Sequence, residues 1–200
     1  MPYERKDVHY RRAKEAGYRA RSAYKLIELD DRHRILRPGD LVADLGAWPG
    51  AWLQVAAERI TPRGRVVGID LVEVASLALP HVACVIGDVR DPATISALLD
   101  RLGNRANVII SDLAPKLTGV RDTDEARATE LGAATLQVAS RLLRPAGKLV
   151  MKAFMNSEFP FLMGRLRAEF ESVKTTKPEA TRRGSSELYA IATGYRPSCG

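Results

Sequence analysis

Residues 41–50 read LVADLGAWPG, an apolar run that ends in an acidic residue and a glycine-containing turn. Residues 51–60 continue with a helical pattern, so the stretch predicts a strand, a tight turn and a helix. Glycines in such a turn let the backbone approach a ligand closely because they carry no Cβ. In a doubly wound sheet this turn lies at the carboxyl edge, where ligands bind. The stretch predicts an α/β fold with a ligand site after its first strand.

Short β-branched runs alternate with helical patterns along the chain, which is typical of a parallel α/β sheet. We predict strands at 41–46, 65–70, 82–86, 107–112 and 148–153, and helices at 51–60, 92–102, 125–143 and 157–168. Two further strands, 170–176 and 187–193, follow each other without a helix and predict an antiparallel hairpin at one edge. The expected fold is a mostly parallel seven-stranded sheet with an antiparallel last strand and helices on both faces.

A basic helical extension is expected before the sheet, at about 1–37. Within it, residues 20–36 have an amphipathic pattern that stops at Arg37-Pro38-Gly39. Asp124 is the expected cap of the long helix that follows the fourth strand. Because no linker or repeat interrupts the pattern, we predict one domain over residues 1–200.

Composition argues against several classes of protein. The two cysteines and three histidines have no metal-ligand spacing, so we expect no metal. No signal-peptide pattern begins the chain, and no apolar run reaches the roughly 20 residues of a membrane span. We therefore expect a cytoplasmic protein without a membrane segment. We also expect a monomer.

Basic residues crowd both ends of the chain, which has a net charge of +7 and a pI near 9.6. Basic residues that only cover two solvent-exposed faces of the protein would produce the same composition. Basic segments that flank a more acidic, apolar middle nevertheless favour a surface that follows RNA phosphates. The candidate RNA contacts are Arg11, Arg12, Arg19, Arg21, Arg182 and Arg183.

Acidic residues lie at or just beside the ends of the first four predicted strands: Asp44, Asp70, Asp88 and Asp112. One such acid is ordinarily a turn or cap residue. Four at one sheet edge would repel each other unless a cation binds there, and the sulfonium and ammonium of S-adenosylmethionine provide that charge. The turn lacks the GxGxxG spacing of dinucleotide enzymes, which disfavours a nicotinamide dehydrogenase. Asp44, Gly46 and Gly50 are therefore candidate contacts to S-adenosylmethionine, Asp70 is the candidate ribose acceptor, and Asp88 the candidate acceptor for adenine.

Lys152 lies at the far end of an otherwise apolar strand. A buried ammonium must reach water or meet carboxylates. Asp112 ends the neighbouring strand and Glu187 begins the last one, while Lys25 lies on a helix that can cross the same edge. We expect these four side chains to meet.

At these residues the sequence resembles the FtsJ/RrmJ family of RNA ribose 2′-O-methyltransferases. The resemblance covers nearly the whole chain and is carried by six segments: 19–26 (RARSAYKL), 44–50 (DLGAWPG), 111–115 (SDLAP), 150–152 (VMK), 177–178 (KP) and 186–189 (SELY). It implies a Rossmann-like methyltransferase fold and S-adenosylmethionine as cofactor. It also implies a catalytic tetrad of Lys25, Asp112, Lys152 and Glu187, and cofactor contacts at Gly50, Trp52, Asp70, Asp88 and Asp112.

Three positions depart from the family pattern. Trp48 and Ala51 stand where the family loop usually has smaller residues, which bears on the fit of the cofactor. Lys116 stands where an asparagine is common and adds a positive charge beside the substrate, so it joins the candidate RNA contacts. None of the three removes a tetrad position.

The resemblance implies methylation of a ribose 2′-hydroxyl in RNA, with a uridine of large-subunit (23S) rRNA in the large ribosomal subunit as the favoured target. A tRNA 2′-O-methyltransferase, a small-molecule methyltransferase and a non-catalytic RNA-binding protein remain alternatives. Lys152 can act as a general base if it loses its proton, which burial and the charge of Lys25 favour and the two carboxylates oppose. It can otherwise orient the hydroxyl as an ammonium.

Overall fold

The computed structural model describes residues 8–116, 118–181 and 184–197. Its elements in chain order are α1 (Val8–Glu15), α2 (Ala23–His33), β1 (Leu41–Leu45), α3 (Ala51–Ile60), β2 (Arg65–Asp70), β3 (Val82–Ile86), α4 (Pro92–Leu102), β4 (Ala106–Ser111), α5 (Arg121–Leu142), β5 (Leu143–Phe154), α6 (Phe159–Glu169), β6 (Phe170–Thr176) and β7 (Glu187–Tyr195).

The seven strands form one sheet in the order β3-β2-β1-β4-β5-β7-β6. Strands β1 to β5 pair in parallel, and β7 lies antiparallel between β5 and β6. The predicted mostly parallel sheet and its antiparallel hairpin are both confirmed. The reversal of strand order falls between β1 and β4, which is the position where α/β sheets bind ligands.

Helices cover both faces of the sheet, as the apolar strands predicted. On one face, α2 and α3 pack through Leu26, Leu29 and Leu53 against the strands. On the other face, α4, α5 and α6 bury Leu98, Leu136 and Leu166 together with the opposite side chains of the same strands.

Two helix boundaries differ from the expected ones. The helix expected over 20–36 is α2, Ala23–His33, and it ends at Arg34, which has a left-handed φ of 51°. The carboxylate of Asp30 accepts hydrogen bonds from the backbone N–H groups of Ile35 and Leu36, which stabilises the exit from this helix. Within the expected basic extension, a separate helix, α1, precedes α2.

Asp124 does not cap α5, because the helix begins earlier, at Arg121, with Val120 at the N-cap. Asp124 lies inside the first turn, and its carboxylate accepts hydrogen bonds from the backbone N–H groups of Thr118 and Gly119. The residue therefore ties the preceding loop to the helix. The sequence pattern did not distinguish these two uses of one acid.

The register of the parallel strands gathers the acidic strand ends. Asp44 is level with Gly68 of β2, and Leu45 is level with Ser111 of β4. Asp70, which ends β2, and Asp112, which follows β4, therefore lie at the height of the turn after β1. This common height explains why acids distant in the chain share one edge.

Candidate active site

Four elements bring the predicted tetrad together at the carboxyl edge. Lys25 projects from α2, Asp112 follows β4, Lys152 lies near the end of β5 and Glu187 begins β7. Because β4 and β5 are neighbours and β7 runs back beside β5, the ends of these strands meet. The expected convergence is present.

The tetrad consists of two ion pairs joined through one carboxylate. Nζ of Lys152 lies 2.8 Å from Oδ1 of Asp112 and 3.8 Å from Oε2 of Glu187. Nζ of Lys25 lies 2.5 Å from Oε1 of the same glutamate. Lys152 also donates to the backbone carbonyl of Asp112 at 3.0 Å. Both amines are thus oriented by carboxylates, as buried charges require.

Tyr189 is a fifth member of this cluster that the sequence analysis missed. Its hydroxyl donates to Oδ1 of Asp112 at 2.5 Å, lies 3.4 Å from Oε1 of Glu187, and accepts from Nζ of Lys25 at 3.3 Å. Burial raises the pKa of Tyr189 well above its usual value, and the two carboxylates add to this effect, so the hydroxyl stays a donor. The alternation of side chains in a strand places Tyr189 on the same face as Glu187, which was the available signal.

Asp44 is the most unusual acid of the edge. It is completely buried at the end of β1, and within the described ranges neither of its carboxylate oxygens has a hydrogen-bond partner. Burial raises its pKa well above the ordinary value, and the charges of Asp112 and Asp70 raise it further. A buried carboxyl without a partner is costly, and a cationic ligand would relieve that cost.

The turn after β1 is held by backbone hydrogen bonds. Gly46 and Ala47 both donate to the carbonyl of Ile69, and Gly50 donates to the carbonyl of Ala47. Gly50 has a φ of 106°, and a Cβ at this position would lie 2.6 Å from Nη1 of Arg19. Glycine is therefore required here by the backbone and by its neighbour.

Arg19, which we predicted as an RNA contact, is engaged elsewhere. Its guanidinium donates to the carbonyls of Pro49 at 3.1 Å, Ala75 at 2.6 Å and Ser76 at 2.9 Å. Three of its guanidinium hydrogen bonds therefore go to the protein, and its contact with RNA stays a prediction. Arg19 ties the turn after β1 to the segment after β2.

The candidate cofactor contacts Asp70 and Asp88 differ in how many hydrogen bonds their carboxylate oxygens already accept. Asp70 accepts from the backbone N–H groups of Trp48 and Val72, one on each oxygen. Both oxygens of Asp88 accept from the guanidinium of Arg90, which lowers the pKa of Asp88. Both acids stay partly exposed at the edge. Asp70 keeps a further lone pair on each oxygen, whereas the backbone and side chain of Arg90 together make two hydrogen-bond contacts to each oxygen of Asp88.

The indole of Trp52 points into the protein. The residue is buried, its Nε1 donates to the carbonyl of Ser22, and its ring packs 5.8 Å from that of Tyr189. The ring therefore supports the tetrad from α3. The contact between Trp52 and the cofactor stays a prediction.

The remaining predicted RNA contacts are spread over several elements. Arg11 and Arg12 are exposed on α1, and the guanidinium of Arg12 lies over the ring of Tyr24 at 5.2 Å. Arg21 is half-buried between α1 and α2, and Lys116 is exposed in the loop after β4. Arg182 and Arg183 lie outside the described residues.

Neither a metal cluster nor a membrane span is found in the described part of the chain. Within residues 8–116, 118–181 and 184–197, no three His, Cys, Asp or Glu side chains are placed to hold a metal ion. No helix in these ranges is long and apolar enough to cross a bilayer.

Comparison with known proteins assigns the family. The model of the FtsJ-like methyltransferase family matches residues 18–195, which include all four tetrad positions. The chain belongs to the FtsJ-like methyltransferase family. Members of this family are enzymes that transfer methyl groups, and the fold found here is the expected Rossmann-like methyltransferase fold.

Sequence similarity to relatives extends over nearly the whole chain. The ribosomal RNA large subunit methyltransferase E of Anaeromyxobacter is 44% identical over 98% of this chain and 71% of its own. The protein of the same name in Syntrophobacter fumaroxidans is 42% identical over 99% of this chain and 100% of its own.

Solved structures place the fold among methyltransferases. A Plasmodium falciparum protein assigned as a ribosomal RNA methyltransferase superposes with a TM-score of 0.79 at 27% identity, over 89% of this chain and 98% of that one. Aeropyrum pernix fibrillarin, solved with S-adenosylmethionine, shares the fold with a TM-score of 0.60 at 15% identity, over 86% and 76% of the two chains.

Proposed function

We propose that this methyltransferase acts as one domain and transfers the methyl group of S-adenosylmethionine to a ribose 2′-hydroxyl of large-subunit (23S) rRNA. The convergence of Lys25, Asp112, Lys152 and Glu187 carries the proposal, because two amines fixed by two carboxylates can orient a hydroxyl. The names of the relatives support ribosomal RNA as the substrate class.

The edge acids fit S-adenosylmethionine, which supplies an electrophilic methyl group on a sulfonium. Asp44 provides a buried carboxyl without a partner in the described structure, suited to a cationic group. Asp70 provides a partly exposed carboxylate with lone pairs left for ribose hydroxyls. Asp88 accepts the exocyclic amine of adenine in place of part of its pairing with Arg90. The turn at Gly46 and Gly50 brings backbone, without side chains, close to the same place.

Within the tetrad, Lys152 is the group that we assign to the substrate hydroxyl. Its amine is fixed by the side chain and the backbone carbonyl of Asp112, which leaves it little freedom to turn. An ammonium held in this way donates to the 2′-oxygen and directs a lone pair towards the methyl group. The new O–C bond would form as the S–C bond of the cofactor breaks, and the hydroxyl proton would leave late, to solvent. Alignment of two reactants can contribute roughly 7–11 kcal/mol to a rate enhancement.

RNA can reach the tetrad from the side of α1. Arg11 and Arg12 are exposed on this helix, which packs on the helix that carries Lys25. Lys116 is exposed in the loop between Asp112 and α5. We propose that these three cations contact phosphates on either side of the methylated ribose.

Methyl transfer to 23S rRNA purified from cells that lack the protein tests the proposal. We expect Lys152→Ala to lower kcat at least about 100-fold, because the variant loses the group that orients the reacting hydroxyl and its proton. The affinity for S-adenosylhomocysteine should stay unchanged. Lys148→Met is the matched control on the same strand, because Lys148 donates to the carbonyls of Arg34 and Ile35 away from the site. Normal turnover by Lys152→Ala would contradict the assigned role.

The same assay separates the alternatives. Methylation of RNA falls steeply as salt rises because phosphate contacts release counterions, whereas a small-molecule substrate shows little salt dependence. Activity on tRNA but not on 23S rRNA would replace the proposed substrate and keep the reaction.

A further inference from the structure

A cleft between α5 and α6 opens beside the tetrad. It lies at the end of β5, and its lining includes Lys152, Phe154, Phe159, Phe161, Ala128 and Arg165. Because Lys152 lines the cleft and also belongs to the tetrad, the cleft borders the residue that we assign to the substrate hydroxyl.

The cleft is rich in aromatic side chains. Phe154, Phe159 and Phe161 line it, and Phe161 is 71% exposed in the first turn of α6. Val120 and Met155, on the segments after β4 and β5, are also exposed large apolar side chains of this edge. A group of exposed apolar side chains beside a catalytic cluster is typical of a binding surface.

Polar groups of the cleft suit an aromatic ligand with a hydrogen-bonding edge. Asn156 provides an amide donor and acceptor, and the lining also includes one anion, Glu158, and the cation Arg165. The second cation of the lining, Lys152, is already paired with the two carboxylates of the tetrad. The opposite charges of Glu158 and Arg165 give no net attraction for a phosphate. Aromatic faces with a few polar groups are instead the means by which proteins hold unstacked bases.

We propose that this cleft takes the base of the nucleotide that is methylated. The inference rests on the proposed function, because the base is attached to the carbon next to the one that carries the 2′-hydroxyl. A ribose placed at Lys152 must therefore put its own base within reach of the cleft. The base leaves the RNA stack and is held against Phe161.

Substitution of Phe161 tests the proposal with the 23S rRNA assay. Removal of a stacking aromatic side chain costs about 1–3 kcal/mol per base, so Phe161→Ala should raise KM for RNA about 5-fold to 150-fold. Phe161→Tyr keeps the ring and should restore the wild-type KM. The affinity for S-adenosylhomocysteine should stay unchanged in both variants, and thermal unfolding should as well, since Phe161 is exposed.

A second variant and a modified substrate make the test independent of one residue. Ala128→Leu extends a side chain into the cleft from α5 and should also raise KM for RNA. An RNA with an abasic ribose at the mapped position should bind wild-type enzyme as weakly as the normal RNA binds Phe161→Ala, and Phe161→Ala should not weaken it further.

The outcomes separate this proposal from the proposed function. If the wild-type enzyme fails to methylate RNA, the proposed function fails, and the cleft with it. If the wild-type enzyme methylates RNA and Phe161→Ala has an unchanged KM, only the cleft proposal is overturned. A change of oligomeric state in Phe161→Ala without a change in KM would show that the cleft binds a second copy instead, which also overturns it.

Discussion

The hydroxyl of Tyr189 donates a hydrogen bond to Oδ1 of Asp112 across 2.5 Å. The same oxygen lies 2.8 Å from the amine of Lys152, so the tyrosine and the lysine share one acceptor. Asp112 is thereby held from two sides. The cluster that we propose as catalytic is a network of five side chains, of which the resemblance named four.

Tyr189→Phe should lower kcat while the fold is kept. The variant retains the ring that packs against Trp52 and loses the hydrogen bond to a carboxylate. Such a bond is worth about 1.5–3 kcal/mol, which corresponds to roughly a 10-fold loss or more. Steady-state kinetics should show this loss in kcat, with KM for RNA unchanged. A wild-type kcat would mean that Asp112 is held well enough by Lys152 alone.

Lys148→Met should destabilise the protein and spare the chemistry. Nζ of Lys148 donates to the carbonyls of Arg34 and Ile35, which lie just after α2. Loss of these bonds leaves two carbonyls less well satisfied, and we expect about 1–2 kcal/mol less stability in denaturant unfolding. A large fall in kcat of the folded variant would contradict the separation of Lys148 from the site.

Cofactor affinity should depend on the protonation of Asp44. Burial and the charges of Asp112 and Asp70 raise the pKa of Asp44 in the folded protein above the ordinary 3.8. Without a ligand, the carboxyl of Asp44 therefore stays protonated over a pH window above 3.8. A cationic amine binds the carboxylate form and expels the proton. Affinity for S-adenosylhomocysteine should therefore rise with pH through this window and level off above the raised pKa.

Calorimetry in buffers of different ionisation enthalpy measures the proton released on binding. Asp44→Asn should bind S-adenosylhomocysteine more weakly and should release no proton in the same window. Equal proton release by the wild type and Asp44→Asn would exclude Asp44 as its source.

Arg19→Ala should weaken cofactor binding and not RNA binding. The guanidinium joins the carbonyl of Pro49, in the turn after β1, to those of Ala75 and Ser76. Hydrogen bonds of a charged group are worth about 1.5–3 kcal/mol each, so even partial loosening of the turn should cost about 10-fold in affinity for S-adenosylhomocysteine. Binding isotherms for the cofactor product and for RNA measure the two effects separately. A fall in RNA affinity alone would favour the RNA contact that the sequence predicted for Arg19.

Charge reversal on α1 should weaken RNA binding and leave cofactor binding unchanged. Arg11→Glu combined with Arg12→Glu removes two exposed cations and adds two anions. RNA affinity should fall, and the slope of log affinity against log salt should become shallower by roughly one for each phosphate that the variant no longer neutralises. Affinity for S-adenosylhomocysteine should stay constant. An unchanged salt slope would remove α1 from the RNA surface.

The strands and the edge acids were predictable because they depend on local pattern. Apolar runs of β-branched residues mark β1 to β5, and each predicted strand of the sheet was found within a few residues except for the early start of β5 at Leu143. Since parallel strands place their carboxyl ends at one edge, the acids that follow them had to gather there. The boundaries of α2 and α5 were less predictable because the side chains of Asp30 and Asp124 bind backbone groups at helix ends.

The sequence by itself determined the α/β sheet, the gathering of Asp44, Asp70 and Asp112, and the order of elements that brings Lys25, Lys152 and Glu187 to one place. Hydrophobic periodicity and strand direction are sufficient for these features. Only the tertiary structure decided how individual polar side chains are used: Arg19 binds carbonyls up to 57 residues away, and Tyr189 binds an acid 77 residues away. The physical reason is that a hydrogen bond depends on distances and angles at a single point, which the whole fold sets and no local pattern encodes.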